Sequence, residues 1–285
     1  MGTSVSSPRW NGGGVGAPRR RWMAVAMVLL RAAAGFADGS AELADYEPSP
    51  EALRLLAEFE RYYHGTILDW PGPERVTGDT ERWLERAAAL TGDPPAQHYL
   101  LAWIEFQAFS NLWWSGSEGA HLQRAHDHIR RFAELNVAFA DGFALYGSIL
   151  GQMIAVNPLN VLGYAGTAEQ VTRIALELEP DNRLARLNSG IALLNAPPAF
   201  GGDPERAVVE MRTAYAGGEL GMRTVAGLWL AVAYDKLGRG DDATRIIEEV
   251  VALAPDYLPA RVTADALARG IEPLEHWREV RAARR

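Results

Sequence analysis

The chain has 285 residues, of which 48% are hydrophobic and 22% charged, with a formal net charge of −8 and no cysteine. This length allows one large domain or two ordinary ones. The composition is that of a globular protein, not of a disordered or collagen-like chain. Without cysteine there is no disulfide framework, zinc ribbon, cysteine nucleophile or lipidated cysteine, so the fold depends on packing.

The first 37 residues differ in charge from the rest of the chain. They hold five arginines and no acid, so the remaining 248 residues carry a formal charge of −13. Arg19–Arg21 precede an apolar run at 22–30 and a small-residue run at 32–37, which is the order of a secretory signal. The apolar run is too short to span a bilayer, which takes about 20 residues.

We therefore expect residues 1–37 to be a signal peptide and the protein to be exported, to the periplasm or outside the cell, without a permanent membrane anchor. The alternative is an unstructured tail, or a start codon assigned upstream of the true start at Met23.

From residue 50 onward the sequence predicts helices only. Apolar residues recur at helical spacing, Gly, Pro and Asp separate the segments, and no sustained period-two alternation indicates a strand. We expect an N-terminal segment with one helix at 38–79, repeats at 80–258 and capping helices at 259–285. The predicted helices are residues 50–63, 80–90, 97–113, 121–135, 141–155, 167–178, 183–194, 204–215, 224–237, 242–253, 258–269 and 273–284.

Several helix ends carry recognisable capping residues. Thr167 opens a capping-box pattern, which predicts a helix start at that residue. Asp203 precedes a proline, which is typical of an N-cap followed by a first helical turn. Gly238 predicts the end of a helix, with Asp241 or Asp242 as the cap of the next one.

Two series of small residues recur at the spacing of a helix pair. The first series is Gly147, Gly190 and Ala231, and the second is Ala125, Ala168, Ala207 and Ala243. Small side chains let the backbones of paired helices approach closely, while large apolar residues between them fill the layer against the next pair. The sequence therefore predicts a repeat architecture.

The segment 230–255 carries the most specific repeat pattern. Its matching residues are Leu230, Ala231, Tyr234, Gly238, Ala243, Ile247 and Pro255. In this pattern the chain resembles the tetratricopeptide-repeat (TPR) family, and the resemblance extends in a degenerate form over roughly residues 80–258. It implies a right-handed α-solenoid of about four TPR-like helix-turn-helix pairs, with a concave surface for a protein or peptide partner.

Residues 197–203 form a Pro-Pro-x-x-Gly-Gly-Asp segment. This short motif is similar to one in bacterial repeat proteins, including the periplasmic repeat component of TRAP-type transporters, whose members are typically lipoproteins. This chain departs from them because it has no cysteine. The residues themselves predict a turn, since proline stops a helix, glycine allows turn conformations and Asp203 caps the next helix. A contact loop is the alternative.

Three histidines, His121, His126 and His128, lie within eight residues. On one helix, His126 points away from the other two, and no HExxH pattern is present. The intervening arginines and aspartate are typical of a solvated face, so we expect surface histidines and no metal site.

No motif indicates catalysis. The chain lacks a GxxxxGK[ST] phosphate loop and a GxSxG nucleophile elbow. The paired carboxylates Glu248 and Glu249 are predicted to lie on an exposed side of a helix. We predict no catalytic residue and no cofactor. The acidic charge of residues 38–285 also disfavours nucleic acid, which needs a positive surface.

An aromatic cluster at 103–114 is the most unusual compositional feature. Its members are Trp103, Phe106, Phe109, Trp113 and Trp114. We expect most of them to fill the core. Because adjacent residues cannot share one helical face, at least one of the indoles of Trp113 and Trp114 is expected to be exposed, and these two are the first binding candidates.

Further binding candidates follow from the TPR resemblance, which places polar residues on the inner helix of each pair. These are Ser148, Gln152, Asn188 and Asn195. The basic clamp that some TPR domains use for carboxylates is not reproduced. The sequence thus predicts a non-catalytic scaffold for a protein or peptide, and an open polar groove would favour it.

Two alternatives stay open. One is an accessory protein of a solute-uptake system, similar to the TRAP-type repeat component, with a small molecule in a deep closed pocket. The other is an enzyme assembled from distant titratable residues.

Overall fold

The computed structural model describes residues 43–284, and within that range the chain is helical, without a strand. The predicted signal peptide at 1–37 lies outside the described residues. The helices are α1 (Pro50–Leu68), α2 (Pro73–Ala88), α3 (Pro94–Leu112), α4 (His121–Glu134), α5 (Ala140–Val156), α6 (Val161–Leu178), α7 (Arg183–Asn195), α8 (Pro204–Tyr215), α9 (Leu220–Lys236), α10 (Gly240–Leu253), α11 (Leu258–Ala268) and α12 (Pro273–Ala282). The prediction of an all-α fold is confirmed.

Asp93 ties the segment before α1 to the start of α3. Its carboxylate accepts hydrogen bonds from the Ala96 amide (3.3 Å), as an N-cap, and from the Tyr46 hydroxyl (2.8 Å) and the Ser49 amide (2.7 Å). Burial opposes ionisation, but these hydrogen bonds outweigh it and lower the pKa of Asp93. One carboxylate thus accepts hydrogen bonds from backbone amides at the start of both α1 and α3.

Two predicted helix ends are confirmed and one is wrong. Asp203 caps α8 through the Arg206 amide (3.1 Å), and Gly238 ends α9 with a φ of 71°. The start predicted at Thr167 is wrong, because α6 begins six residues earlier at Val161. It continues directly from a 3₁₀ turn that Asn157 caps with its side chain, so the capping-box pattern falls inside a helix already under way.

Neither aspartate predicted to cap α10 does so. The N-cap residue is Arg239, and Asp241 and Asp242 lie in the first turn. The carboxylate of Asp242 accepts hydrogen bonds from Arg239 Nη2 (2.7 Å) and Arg245 Nη2 (2.7 Å) instead. Acidic residues in this turn still favour the helix, because its N-terminus carries partial positive charge.

The segment 197–203 is a tight turn, as its residues predict. Gly201 has a φ of 85°, and a Cβ at Gly202 would lie 1.8 Å from the carbonyl oxygen of Ala196. The Asp203 amide also donates to the Leu193 carbonyl (2.9 Å). Both glycines are therefore required by the backbone.

The helices pack as consecutive pairs: α3 on α4, α5 on α6, α7 on α8 and α9 on α10. Small residues lie where the paired backbones approach. A Cβ at Gly147 would lie 2.6 Å from Thr172 Oγ1, and one at Gly190 would lie 3.1 Å from the carbonyl oxygen of Ala207. The predicted small-residue series thus marks helix crossings within the pairs.

We call the first helix of each pair inner and the second outer. The inner helices α3, α5 and α9 are buried more fully than the outer helices, whereas the inner helix α7 buries only Ala185, Leu187, Gly190 and Leu194. Neighbours surround α5 so fully that each residue from Gly142 to Gly147 is buried, and α9 packs against α1, α7, α8, α10 and α11. In contrast, α4 buries a single stripe.

The terminal elements pack back onto the middle of the chain. Phe59 of α1 contacts Trp103 of α3 edge to face, with ring centroids 5.0 Å apart. The same helix reaches α9, where a Cβ at Gly221 would lie 2.8 Å from the His64 ring. Helix α12 packs against the 3₁₀ turn Trp113–Ser115 that follows α3.

Among the described residues, no helix is both long enough and apolar enough to cross a membrane.

Candidate functional site

Two of the four predicted polar binding residues meet in the structure. The Ser148 hydroxyl donates to Asn188 Oδ1 (2.9 Å), and Asn188 Nδ2 donates to the Ala144 carbonyl (2.7 Å), which joins α5 to α7. Asn195 is exposed, and its amide donates to a carbonyl of its own helix. Gln152 is half-buried on α5. Ser148 and Asn188 therefore act first as a contact between neighbouring pairs.

Trp113 and Trp114 hold α12 in place. Trp114 is buried, and its ring meets Trp113 (5.0 Å between centroids) and Trp277 of α12 (5.9 Å) at steep angles. The Arg281 guanidinium lies 4.5 Å from the centroid of the Trp113 ring and pairs with Glu118. Both indoles therefore contact α12.

The expectation of surface histidines is wrong. His126 is buried, with its ring 5.2 Å from that of Tyr164, and burial lowers its pKa. His128 is half-buried beside His98, at 5.8 Å between ring centroids. The sequence argument placed these residues on one helix but could not show that Tyr146 and Tyr164 cover His126, or that His98 of α3 lies against His128.

His121 belongs to a charged cluster between α3 and α4. Its Nδ1 lies 2.5 Å from Glu105 Oε2, and Arg124 Nε donates to Glu105 Oε1 (2.6 Å). Burial opposes ionisation of Glu105, but the hydrogen bonds from His121 and Arg124 outweigh it and lower the pKa of this carboxyl. The cluster neutralises a buried charge at the helix interface.

A second titratable cluster lies where α1 crosses the start of α9. Glu60 and His64 are one turn apart on α1, and Glu219 is the N-cap residue of α9. One ligand atom from each side chain lies within 4.8 Å of the others, and His64 Nε2 is 3.9 Å from Glu219 Oε2. Burial and the neighbouring Glu219 raise the pKa of Glu60.

Asp141, in the first turn of α5, adds negative charge on the same side. Its carboxylate accepts a hydrogen bond from Asn182 Nδ2 (2.7 Å). Burial raises its pKa, with a further contribution from Glu179 and an opposing one from Asn182. Asp141 also contributes to the raised pKa of Glu60, so the region around α1 is acidic.

An open cleft lies beside the start of α7 and the end of α8. It has a volume of about 480 Å³ and is lined by Asp181, Arg183, Arg212, Thr213 and Ala216. Arg183 closes one side by donating to the Ala216 carbonyl (2.5 Å). Its lining is charged and faces solvent.

Large apolar side chains are exposed on the turns within two successive helix pairs. Leu159 is 76% exposed and Val156 52% exposed at the turn between α5 and α6, and Phe200 is 48% exposed at the turn between α7 and α8. Because α5 and α7 are packed neighbours and each turn follows the first helix of its pair, both turns lie at the same edge of the array. We call these three residues the apolar edge.

No protein-family model matches the chain, and no curated protein matches it either.

Sequence reasoning missed both the Glu60, His64 and Glu219 cluster and the apolar edge. A Glu and a His four residues apart on a helix was the available signal for the first, but the predicted helix ended at Tyr63, one residue before His64. Glu219 lies far along the chain, and no pattern in the sequence places it against α1.

Proposed function

We propose that the chain is a non-catalytic interaction scaffold, built as a right-handed TPR-like α-solenoid, that binds a protein partner at its apolar edge. The observation that carries this proposal is the exposure of Leu159, Val156 and Phe200 on two neighbouring turns. Exposed apolar side chains grouped at one edge of a protein are typical of sites of protein interaction.

The helix pairing supports a TPR-like repeat. Gly190 meets the backbone of Ala207 within its pair, and Gly147 meets Thr172 in the preceding one. The first helices of successive pairs then pack on one another, as α5 does on α7 and α7 on α9. This order of contacts is what stacking of helix pairs produces.

Charge sets the chemistry of the partner. The formal charge of −13 on residues 38–285 disfavours a nucleic acid or an anionic membrane. An apolar protein surface flanked by basic side chains is complementary to the edge. The order of residues 1–37 supports export, so the partner would be met in the periplasm or outside the cell.

The cleft beside α7 and α8 favours one second candidate. Its volume of about 480 Å³ and its two arginines, Arg183 and Arg212, suit a small anionic molecule. The second candidate function is therefore that of an accessory protein in solute uptake. The open mouth of the cleft makes it the weaker candidate, since small-molecule sites usually bury most of their ligand.

The test is quantitative photo-crosslinking in the cells that make the protein. A photoreactive residue is placed at position 161, next to the apolar edge, in the wild type and in a Leu159→Ser, Phe200→Ser double variant. The control is Leu53→Ser on α1, where the leucine is 49% exposed but away from the edge.

We expect one protein to be crosslinked stoichiometrically by the wild type and the control, and at least about tenfold less by the double variant, since each lost apolar contact costs about 1.5 kcal/mol or more. Equal crosslinking by all three proteins would contradict the proposal. If no protein is crosslinked and a small molecule is instead recovered with the purified chain in stoichiometric amount, the result would favour binding of a small molecule in the cleft.

A further inference from the structure

Glu60, His64 and Glu219 have the arrangement of a chelating site that joins two helices. The spacing of four residues puts Glu60 and His64 on one face of α1. Glu219 precedes α9, and one atom of each side chain lies within 4.8 Å of the others. The three groups therefore converge from two elements that are distant along the chain.

The helix crossing fixes this arrangement. At Gly221, on the first turn of α9, a Cβ would lie 2.8 Å from the His64 ring and 2.9 Å from the Tyr63 ring. Glycine at this position lets α1 approach α9 closely enough for His64 to reach Glu219. Tyr63 is half-buried at the crossing, and desolvation raises its pKa to about 12.

Negative charge at the cluster lacks compensation by a basic side chain. Among residues 43–284, no lysine or arginine forms an ion pair with Glu60 or Glu219, and the basic group that pairs with Glu219 is His64, at 3.9 Å. The carboxylate of Asp141 adds further negative charge near Glu60. Carboxylates in this setting repel one another unless a proton or a cation lies between them.

We propose that Glu60, His64 and Glu219 bind one divalent transition-metal ion, of the class of Zn²⁺, Co²⁺ or Mn²⁺, which holds α1 onto α9. An imidazole nitrogen with two carboxylate oxygens suits these ions, whereas Ca²⁺ and Mg²⁺ favour oxygen ligands alone. Three protein ligands leave a coordination position for water or for a group of the partner.

The observed spacing is close to what such a site needs. With ligands at 2.0–2.2 Å from Zn²⁺, neighbouring ligand atoms in a tetrahedron are about 3.4 Å apart. The gap of 3.9 Å between His64 Nε2 and Glu219 Oε2 closes with a small rotation of the Glu219 side chain, which is 71% exposed.

The test is calorimetric titration of the metal-free full chain with ZnCl₂, together with absorption spectra in CoCl₂. The ligand variants are Glu60→Gln, His64→Gln and Glu219→Gln. The matched control is Glu248→Gln, which removes one exposed carboxylate from α10, outside the cluster.

We expect the wild type and the control to bind one Zn²⁺ per chain with equal affinity, and each ligand variant to bind it at least 100-fold more weakly. Excess Zn²⁺ should raise the melting temperature of the wild type by roughly 5 °C or more. The Glu60→Gln and Glu219→Gln proteins should melt no lower than the metal-free wild type, because each removes a repelling charge, so loss of binding there does not reflect misfolding.

Zn²⁺ binding that all three ligand variants retain, or no saturable binding by the wild type, would overturn the proposal. Tighter binding of Ca²⁺ than of Zn²⁺ would also overturn it, because the imidazole would then have no role as a ligand.

Discussion

The inner helix α9 and the outer helix α10, which form one pair, are buried in different ways. The outer helix α10 buries only Ala243, Ile246, Ile247 and Val250, one stripe at helical spacing. The inner helix α9 buries residues on all sides, because α1 and α11 cover the faces that its own pair and the preceding pair leave open. Helix α10 thus has one buried face, and α9 has several.

This difference shows what α1 contributes. A helix that is apolar all round must be covered all round, so a face of α3 or α9 that the neighbouring pairs leave open needs a further partner. Helix α1 lies against α3 and α9, which are separated by two complete pairs. Part of the surface expected to be an open groove is therefore occupied by the chain itself, which is why the apolar edge carries the proposed function.

The largest expected effect comes from removing the anchor of α1 on the inner helices. Phe59 is fully buried and contacts both Trp83 and Trp103 edge to face. We expect Phe59→Ala to lower the free energy of unfolding by about 3–5 kcal/mol, through lost apolar burial and a cavity. Urea unfolding followed by tryptophan fluorescence measures it.

The control for this variant is Leu53→Ala, a half-exposed position on the same helix, for which we expect a change within about 0.5 kcal/mol. If Phe59→Ala were as mild as its control, α1 would not be an integral part of the fold.

The second expected effect compares glycines on an inner and an outer helix. A Cβ at Gly190 of α7 would lie 2.7 Å from Met211 Cγ and 3.1 Å from the Ala207 carbonyl, whereas one at Gly163 of α6 would meet nothing within 4 Å. We expect Gly190→Ala to destabilise the protein by about 1–3 kcal/mol. Gly163→Ala should stabilise it by about 0.5–1 kcal/mol, because alanine favours a helix.

Thermal unfolding of the two variants against the wild type measures this contrast. A Gly190→Ala protein as stable as the wild type or more so would mean that the Gly190 crossing has room to relax, and the small-residue series would then lose its structural meaning.

The outer helices and the turns were predictable from sequence because their signals are local. The stripe of α8, the cap at Asp203 and the turn glycine Gly238 depend on residues within a few positions of one another. The predicted helix 204–215 agrees with α8 at both ends. Where local signals compete, the prediction was wrong: the pattern at Thr167 was overridden by the turn at Asn157 that starts the helix earlier.

The candidate sites were harder to predict because they depend on contacts between distant residues. Trp277 covers Trp114, and Glu219 lies beside Glu60. In each case the two residues are more than 150 positions apart in the sequence. The prediction that at least one of the two adjacent indoles is exposed is wrong, because Trp114 is buried and Trp113 is half-buried in the turn that follows α3. Nothing local in the sequence indicated that α12 would cover the second one.

The smallest expected effect concerns the histidines between α3 and α4. Burial lowers the pKa of His98 and of His128, with further contributions from Arg131 to His98 and from His98 to His128, while Glu134 and Glu105 act in the opposite direction. The unfolded chain, with an ordinary histidine pKa of 6.5, therefore binds more protons than the folded one as pH falls below that value. Acidification through this range should destabilise the fold.

We expect the urea midpoint of the wild type to fall between pH 7.5 and pH 5.5, and to fall less in a His98→Gln, His128→Gln double variant. Glu105 does not contribute in this interval. Because its pKa is lowered in the folded protein, its contribution to the free energy of unfolding is lost only as the pH falls below its ordinary pKa of 4.5. An equal fall in both proteins would assign the acid sensitivity to other groups, with the buried His126 as the next to replace. The packing of α3 against α4 would then be insensitive to the charge of the His98 and His128 rings.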